Sequence, residues 1–166
     1  MTQKDWLTTY IGSAFSGVTL EDGVDIFTAR NLDDYGMNAS EKRLSLYCQR
    51  GNWREVDPQI LRDRAWALTF LDRKGFRFYL PVILIDIIHN QTQSNLAETM
   101  FYRFSITPDG TFDGLPFHET FNRAQRAAIV RFLKYLRYNA GWSSESMAEK
   151  LLRRIQERVK PTHSAR

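Results

Sequence analysis

The sequence lacks most of what would announce a chemistry. A single cysteine, Cys48, among 166 residues excludes an internal disulfide framework. With only His89, His118 and His163 beside it, the chain is short of the thiolate and imidazole ligands that build a dedicated zinc site. It has neither a phosphate-cradling glycine loop nor a serine-hydrolase elbow. Repeats and low-complexity segments are also missing. The first fifteen residues have neither the basic start nor the apolar stretch of a signal peptide. No apolar run reaches the roughly 20 residues of a bilayer crossing. These absences point to a cytoplasmic protein that needs no cofactor and enters no membrane.

What is present is a core. From Phe76 to His89 the run FRFYLPVILIDIIH is apolar in every direction, interrupted inside only by Arg77 and Asp86. A dozen apolar residues exceed the usual strand of roughly 5–6, and Pro81 would remove a hydrogen bond from a central strand while fitting the first turn of a helix. Residues 78–89 therefore read as a helix buried on most sides, with Phe78, Leu80, Ile83, Leu84 and Ile87 inaccessible.

Around it the spacing predicts further helices. Leu7, Ile11 and Phe15 form one stripe over residues 3–16, with Trp6 and Tyr10 beside it and Gly17 at its end. Thr19-x-x-Asp22 has the spacing of a helix start, with Val24, Phe27 and Leu32 then facing inward until Tyr35-Gly36. Ser40 reads as the cap of a third helix on which Leu44, Tyr47 and Cys48 share a face and which closes at Gly51. Asp57-Pro58 opens a fourth, on which Leu61, Ala65, Leu68 and Leu71 share a stripe before Asp72–Gly75 turns the chain. Residues 95–104 fit either a helix capped by Ser94 or a short strand. Residues 105–119, with Pro108, Asp109-Gly110, Asp113-Gly114 and Pro116, read as a long loop or tight hairpin.

Asn122 with Gln125 forms a capping box, followed by the stripe Ile129, Phe132, Leu133, Leu136. After Gly141, capped by Ser143 or Ser144, a last helix buries Met147, Leu151 and Ile155. The expectation is one mostly all-α domain over residues 1–160, of six to eight helices. A short hairpin near 101–114 is the one candidate for β structure, and 161–166 form a tail.

Trp53-Arg54-Glu55-Val56, Ala67-Leu68-Thr69-Phe70-Leu71-Asp72, Gly75-Phe76-Arg77-Phe78-Tyr79-Leu80-Pro81, and Gln125 ahead of Phe132-Leu133-Lys134-Tyr135 together resemble an uncharacterised family of small bacterial proteins known only as a domain of unknown function. The resemblance spans about residues 50–140. It implies a bacterial, cytoplasmic, all-α domain and brings no catalytic residues with it.

Few constellations offer chemistry. Asp86 and His89 adjoin on a helix, as in a carboxylate-oriented general base, but no nucleophile accompanies them. The structural reading pairs Asp86 with an arginine such as Arg77 and places His89 at a helix end that favours a cation. Asp109-x-Thr111-x-Asp113-Gly114 with Glu119 echoes a calcium loop but has a threonine for a carboxylate, a stiffening Pro116 and a glutamate one residue early, so it reads as a solvated turn. Cys48 reads as a small core residue.

The charge is more telling. The net +4 hides two bases against seven acids in residues 1–41 and eleven bases against three acids in residues 123–166. Arg123, Arg126, Lys134 and Arg137 cluster on one face of the penultimate helix, with Arg153, Arg154 and Arg158 on the last, and such faces can track phosphates. Interspersed Glu145, Glu149 and Glu157 favour intrahelical pairing instead. Four tryptophans, Trp6, Trp53, Trp66 and Trp142, supply candidate interface anchors, Trp142 foremost for its position at a helix junction. The leading functional expectation is a non-enzymatic protein-interaction protein, such as an inhibitor or immunity partner of a toxin or effector. Its alternatives are weak nucleic-acid binding through the basic helices and an enzyme with a dispersed active site.

Overall fold

A computed structural model describes residues 1–90, 95–105, 111–112, 115–139 and 142–157. The fold is all-α. Its described part holds nine α-helices and two 3₁₀ helices: α1 (Gln3–Ala14), α2 (Ile26–Asp33), α3 (Ala39–Ser45), a 3₁₀ turn at Trp53–Glu55, α4 (Pro58–Arg62), a second 3₁₀ helix at Ala65–Phe70, α5 (Arg73–Asn90), α6 (Asn95–Ser105), α7 (Phe117–Thr120), α8 (Arg123–Asn139) and α9 (Trp142–Glu157). The number exceeds six to eight because α4 and α7 are short. The expected hairpin is an antiparallel two-residue pairing of β1 (Thr111–Phe112) with β2 (Leu115–Pro116).

Helix α5 is the centre. Phe76, Phe78, Leu80, Ile83, Leu84 and Ile88 are fully inaccessible, and Ile87 nearly so. Helices α1, α4 and α6 and the 53–55 turn enclose it, while α8 packs between α1 and α9. The stripe Ile129, Phe132, Leu133 and Leu136 is buried, and the Asn122–Gln125 capping box is formed in both directions, at 3.1 and 2.9 Å. A chain of ring contacts runs from Phe76 of α5 through Phe104, Phe117 and Phe121 to Phe15, with centroids 5.2–6.5 Å apart. Offset and edge contacts of this kind add to area burial. Trp53 is a core residue, its indole N–H donating to the Phe15 carbonyl at 2.9 Å.

Several local expectations are corrected. Helix α5 begins at Arg73, not 78, so Pro81 sits inside the helix and denies the Arg77 carbonyl its amide donor. The early start is due to Asp72, whose Oδ1 accepts from the Gly75 amide at 2.7 Å and from the Val24 amide at 3.0 Å. The preceding loop lies directly on this turn. A Cβ on Gly75 would come within 2.2 Å of the Val24 carbonyl oxygen, so glycine is required there.

Helix α2 is capped by Asp25 rather than opened at Thr19-x-x-Asp22, and α3 by Asn38 rather than Ser40. The stripe Leu61, Ala65, Leu68, Leu71 is wholly buried, but it spans a break between α4 and the 3₁₀ helix. The spacing of three from Ala65 to Leu71 is the eclipsed period of a 3₁₀ helix. Residues 95–105 are helical. Helix α9 starts at Trp142, ahead of Ser143 and Ser144, and α8 ends at Asn139. Ser94, Pro108, Asp109, Gly110, Asp113, Gly114, Gly141 and the tail 161–166 lie outside the described residues. Within α9, Ala148, Leu151 and Leu152 are buried while Met147 and Ile155 are partly so.

Asp86, on α5, is buried and bonded to Arg62 of α4, not to Arg77, and accepts from Asn90 at 2.8 Å; Arg77 reaches Glu21 at 3.2 Å. His89 faces Thr8 instead, 3.2 Å away, so the two members of the imagined acid–base pair have different partners.

Two stability outcomes follow from this packing. Ile83→Ala should cost about 2–5 kcal/mol in denaturant unfolding, because the cavity would lie where neighbours on every side are fixed; an unchanged midpoint would place the core elsewhere. Arg62→Met, which removes the cationic partner of the buried Asp86 carboxylate, should cost on the order of 3–5 kcal/mol, whereas Arg62→Met combined with Asp86→Leu should recover most of it. A double mutant no more stable than the single one would contradict that account.

Candidate interaction surface

The apolar side chains that escape the core are not scattered. Among the described residues, eight of the twelve large exposed hydrophobics lie between positions 32 and 70: Leu32, Tyr35, Met37, Leu44, Leu46, Tyr47, Trp66 and Phe70. They belong to α2, α3, the links beside them and the 3₁₀ helix 65–70, which packs on α2 as α3 does. Leu32, expected to face inward, is exposed, and of the face Leu44, Tyr47 and Cys48 only Cys48 is half-buried against the core. Tyr35, Met37 and Tyr47 are 94, 85 and 86% exposed.

Polar contacts, not an apolar stripe, hold this segment. Asp25 is the hub. Its Oδ1 accepts from the amides of Phe27 and Thr28 at 3.0 and 2.9 Å, and its Oδ2 from the hydroxyls of Thr28 and Ser45 at 2.8 and 2.7 Å. The Ser45 hydroxyl thereby ties the end of α3 to the start of α2. Arg50 stands 3.6 Å from the same carboxylate and donates to the Glu21 and Gly23 carbonyls. Glu41, the one buried residue of α3, takes a two-pronged bond from Arg64 at 2.9 Å on each oxygen. The Arg64 guanidinium also covers the Phe27 ring at 4.9 Å. Bidentate pairs of this kind fix geometry as well as adding energy. Asn31 accepts from the Asn38 amide at 3.1 Å, closing the link between the two helices.

Within that link the backbone is strained. Tyr35 has φ 54° and Gly36 φ 76°, and the left-handed region costs a residue with a Cβ about 1–2 kcal/mol. The strain holds a tyrosine out in solvent. Beneath the surface Tyr79 accepts from the Ile26 amide at 3.2 Å, and burial pushes its phenol well above the ordinary range.

Arg123, Lys134 and Arg153 are exposed. Arg126 is half-buried and donates to the carbonyls of His118, at 2.7 Å, and Phe121, closing the end of α7. Arg137 pairs with Glu149 at 3.4 Å and lies over the Tyr138 ring. Arg131 covers Tyr10 at 4.5 Å. The side chains of Trp142 and Arg154, and all of Arg158, lie outside the described residues. Of the described tryptophan side chains, Trp66 is the most exposed, at 60%. Its signal in the sequence was a tryptophan one step off the buried Ala65–Leu68–Leu71 line.

Among the described residues no group of three or more His, Cys, Asp or Glu side chains is placed to hold a metal ion. No described helix is long and apolar enough to cross a membrane.

These features define a class: an all-α protein built round one enclosed helix, with an ordered, polar-anchored apolar surface on α2 and α3. The chain belongs to a family of unknown function, DUF6714, which it matches over residues 3–154, well beyond the 50–140 stretch of the resemblance on both sides. No curated protein and no solved structure matches it.

Cys48 sits at the edge of the Asp25 hub. Burial, and then the nearby Asp25 charge, push its thiol above the ordinary value, outweighing the Arg50 guanidinium 3.6 Å away. The neutral thiol's contribution is therefore present below the ordinary thiol pKa and is lost as pH rises through the folded value. In the native protein at pH 8, Cys48 should react with a disulfide reagent more slowly than in the urea-unfolded chain. Equal rates would show a thiol that neither burial nor Asp25 restrains.

Proposed function

We propose that this protein works by binding another protein through the α2–α3 surface, whose partner presents an apolar face. The observation that carries the reading is the combination of fixed backbone and outward apolar side chains between Leu32 and Phe70. Exposed hydrophobics gathered on neighbouring elements mark sites of association, and tyrosine, tryptophan and methionine are the residues enriched at interface cores. Strain at Tyr35 fits a position held for contact rather than for stability. Inhibition of a toxin or effector in a bacterial cytoplasm is one role such a surface serves.

The nucleic-acid reading draws less support, since Arg126 and Arg137 of the α8 cluster are engaged within the chain. It would require binding to mixed-sequence DNA or RNA that weakens steeply with salt.

The test is recovery of tagged protein from its native host. The wild type should bring down one stoichiometric protein, and Tyr47→Glu should lose it. Tyr35→Gly should lose it too while keeping or raising stability by up to about 1 kcal/mol, because glycine relieves the positive φ. A partner retained by both variants would move the site elsewhere. A concentration-dependent dimer of the pure protein, dispersed by Tyr47→Glu, would replace the hetero-partner by a second copy.

A further inference from the structure

A separate cleft of about 500 Å³ opens between α1, the 53–58 segment and α5, on elements other than α2 and α3. Val56, Val82 and Ile85 supply its apolar walls, and Arg54 is the one charged residue in the lining. The guanidinium is set in place from two sides. It lies 4.5 Å over the Trp53 ring and donates to the Gly12 carbonyl. Trp53 is itself pinned through its indole N–H, so the stacking platform is rigid. A guanidinium has five N–H donors in a planar fork, and the Gly12 contact uses one.

The hydroxyls facing this space do not compete for a ligand. Thr9 and Ser13 donate to the carbonyls of Asp5 and Thr9 at 2.9 and 3.1 Å, which satisfies their hydrogens within α1, and the Thr8 hydroxyl is engaged with His89 Nε2 at 3.2 Å. The polarity of the cleft therefore rests on Arg54. Gly12 borders the guanidinium: a Cβ there would stand 3.4 Å from Arg54 Nη2, an ordinary contact.

We propose that this cleft binds a small carboxylate with a short apolar body, the carboxylate on Arg54 and the body along Val56, Val82 and Ile85. An apolar concavity with one oriented charged group is the general form of a small-molecule site, and the planar fork of arginine matches a carboxylate.

Hexanoate and 1-hexanol, titrated separately into ¹⁵N-labelled protein, test it. Hexanoate should give saturable shifts of the Gly12 and Ser13 amides and the Trp53 indole N–H. 1-Hexanol should bind at least tenfold more weakly. Arg54→Met should erase that difference and Arg54→Lys should restore part of it. Gly12→Leu, a gain in helix propensity that fills the cleft, should abolish both titrations without lowering the melting temperature. Absent or non-saturable shifts, equal affinity for acid and alcohol in the wild type, or an Arg54→Met protein that still prefers hexanoate would each overturn the assignment.

Discussion

Helix α5 has no polar face, and the rest of the molecule is arranged to enclose it. Burying one large apolar side chain is worth about 1.5–3 kcal/mol, so leaving even one side of α5 to water would forfeit several such terms in a fold whose net stability is of that order. Helices α1, α4 and α6 and the 53–55 turn each give α5 one face. The requirement extends to the backbone at its first turn, where Gly75 lets the loop through Val24 lie against the helix with no side chain between them. Asp72 then serves both chains, accepting an amide from each. The price of so apolar an element is Pro81 within it and Asp86 upon it. The first leaves a carbonyl at half-exposed Arg77, within reach of water. The second is matched by Arg62.

A second regime governs residues 25–64. Here charged and hydroxyl groups are turned inward, on Asp25, Glu41, Ser45 and Arg64, while leucines, tyrosines and a methionine are turned out. Buried polar networks of this kind specify geometry more than they stabilise. The inversion leaves α3 with a single buried residue, Glu41, so the helix keeps its place through hydrogen bonds and its apolar surface is left for contact.

Those two regimes decide what could be read from the sequence. The enclosed helix, the α8 stripe and the capping box were legible because apolar period and cap chemistry act locally and agree with the packing. Leu44 and Tyr47 misled because an apolar stripe is silent about which side of it the core lies on. That choice was made by Asp25 and Arg64, 20 and 23 residues away in sequence from the groups they bind. The start of α5 was missed for a related reason. Asp72 looks like a turn residue until the Val24 amide, 48 positions earlier, is known to share its carboxylate. On α8, Arg126 and Arg137 make contacts within the chain that charge counting does not reveal.

The cleft beside α1 was hidden in the sequence for a different reason. Arg54 and Trp53 belong to a stretch that reads as packing, and Gly12 as a weak point in a helix. Their convergence places Gly12 beside the guanidinium. The same helix buries Leu7 and Ile11 against the core while Thr8, Gly12 and Ser13 border the cleft. Helix α1 therefore holds the core on one side and the cleft on the other. An occupant of the cleft would rest directly on Val82 and Ile85 of α5, the one element that every other part of the structure is built to hold still. A site on such a support is preorganised, and preorganisation reduces the ordering cost that otherwise consumes the affinity of small ligands.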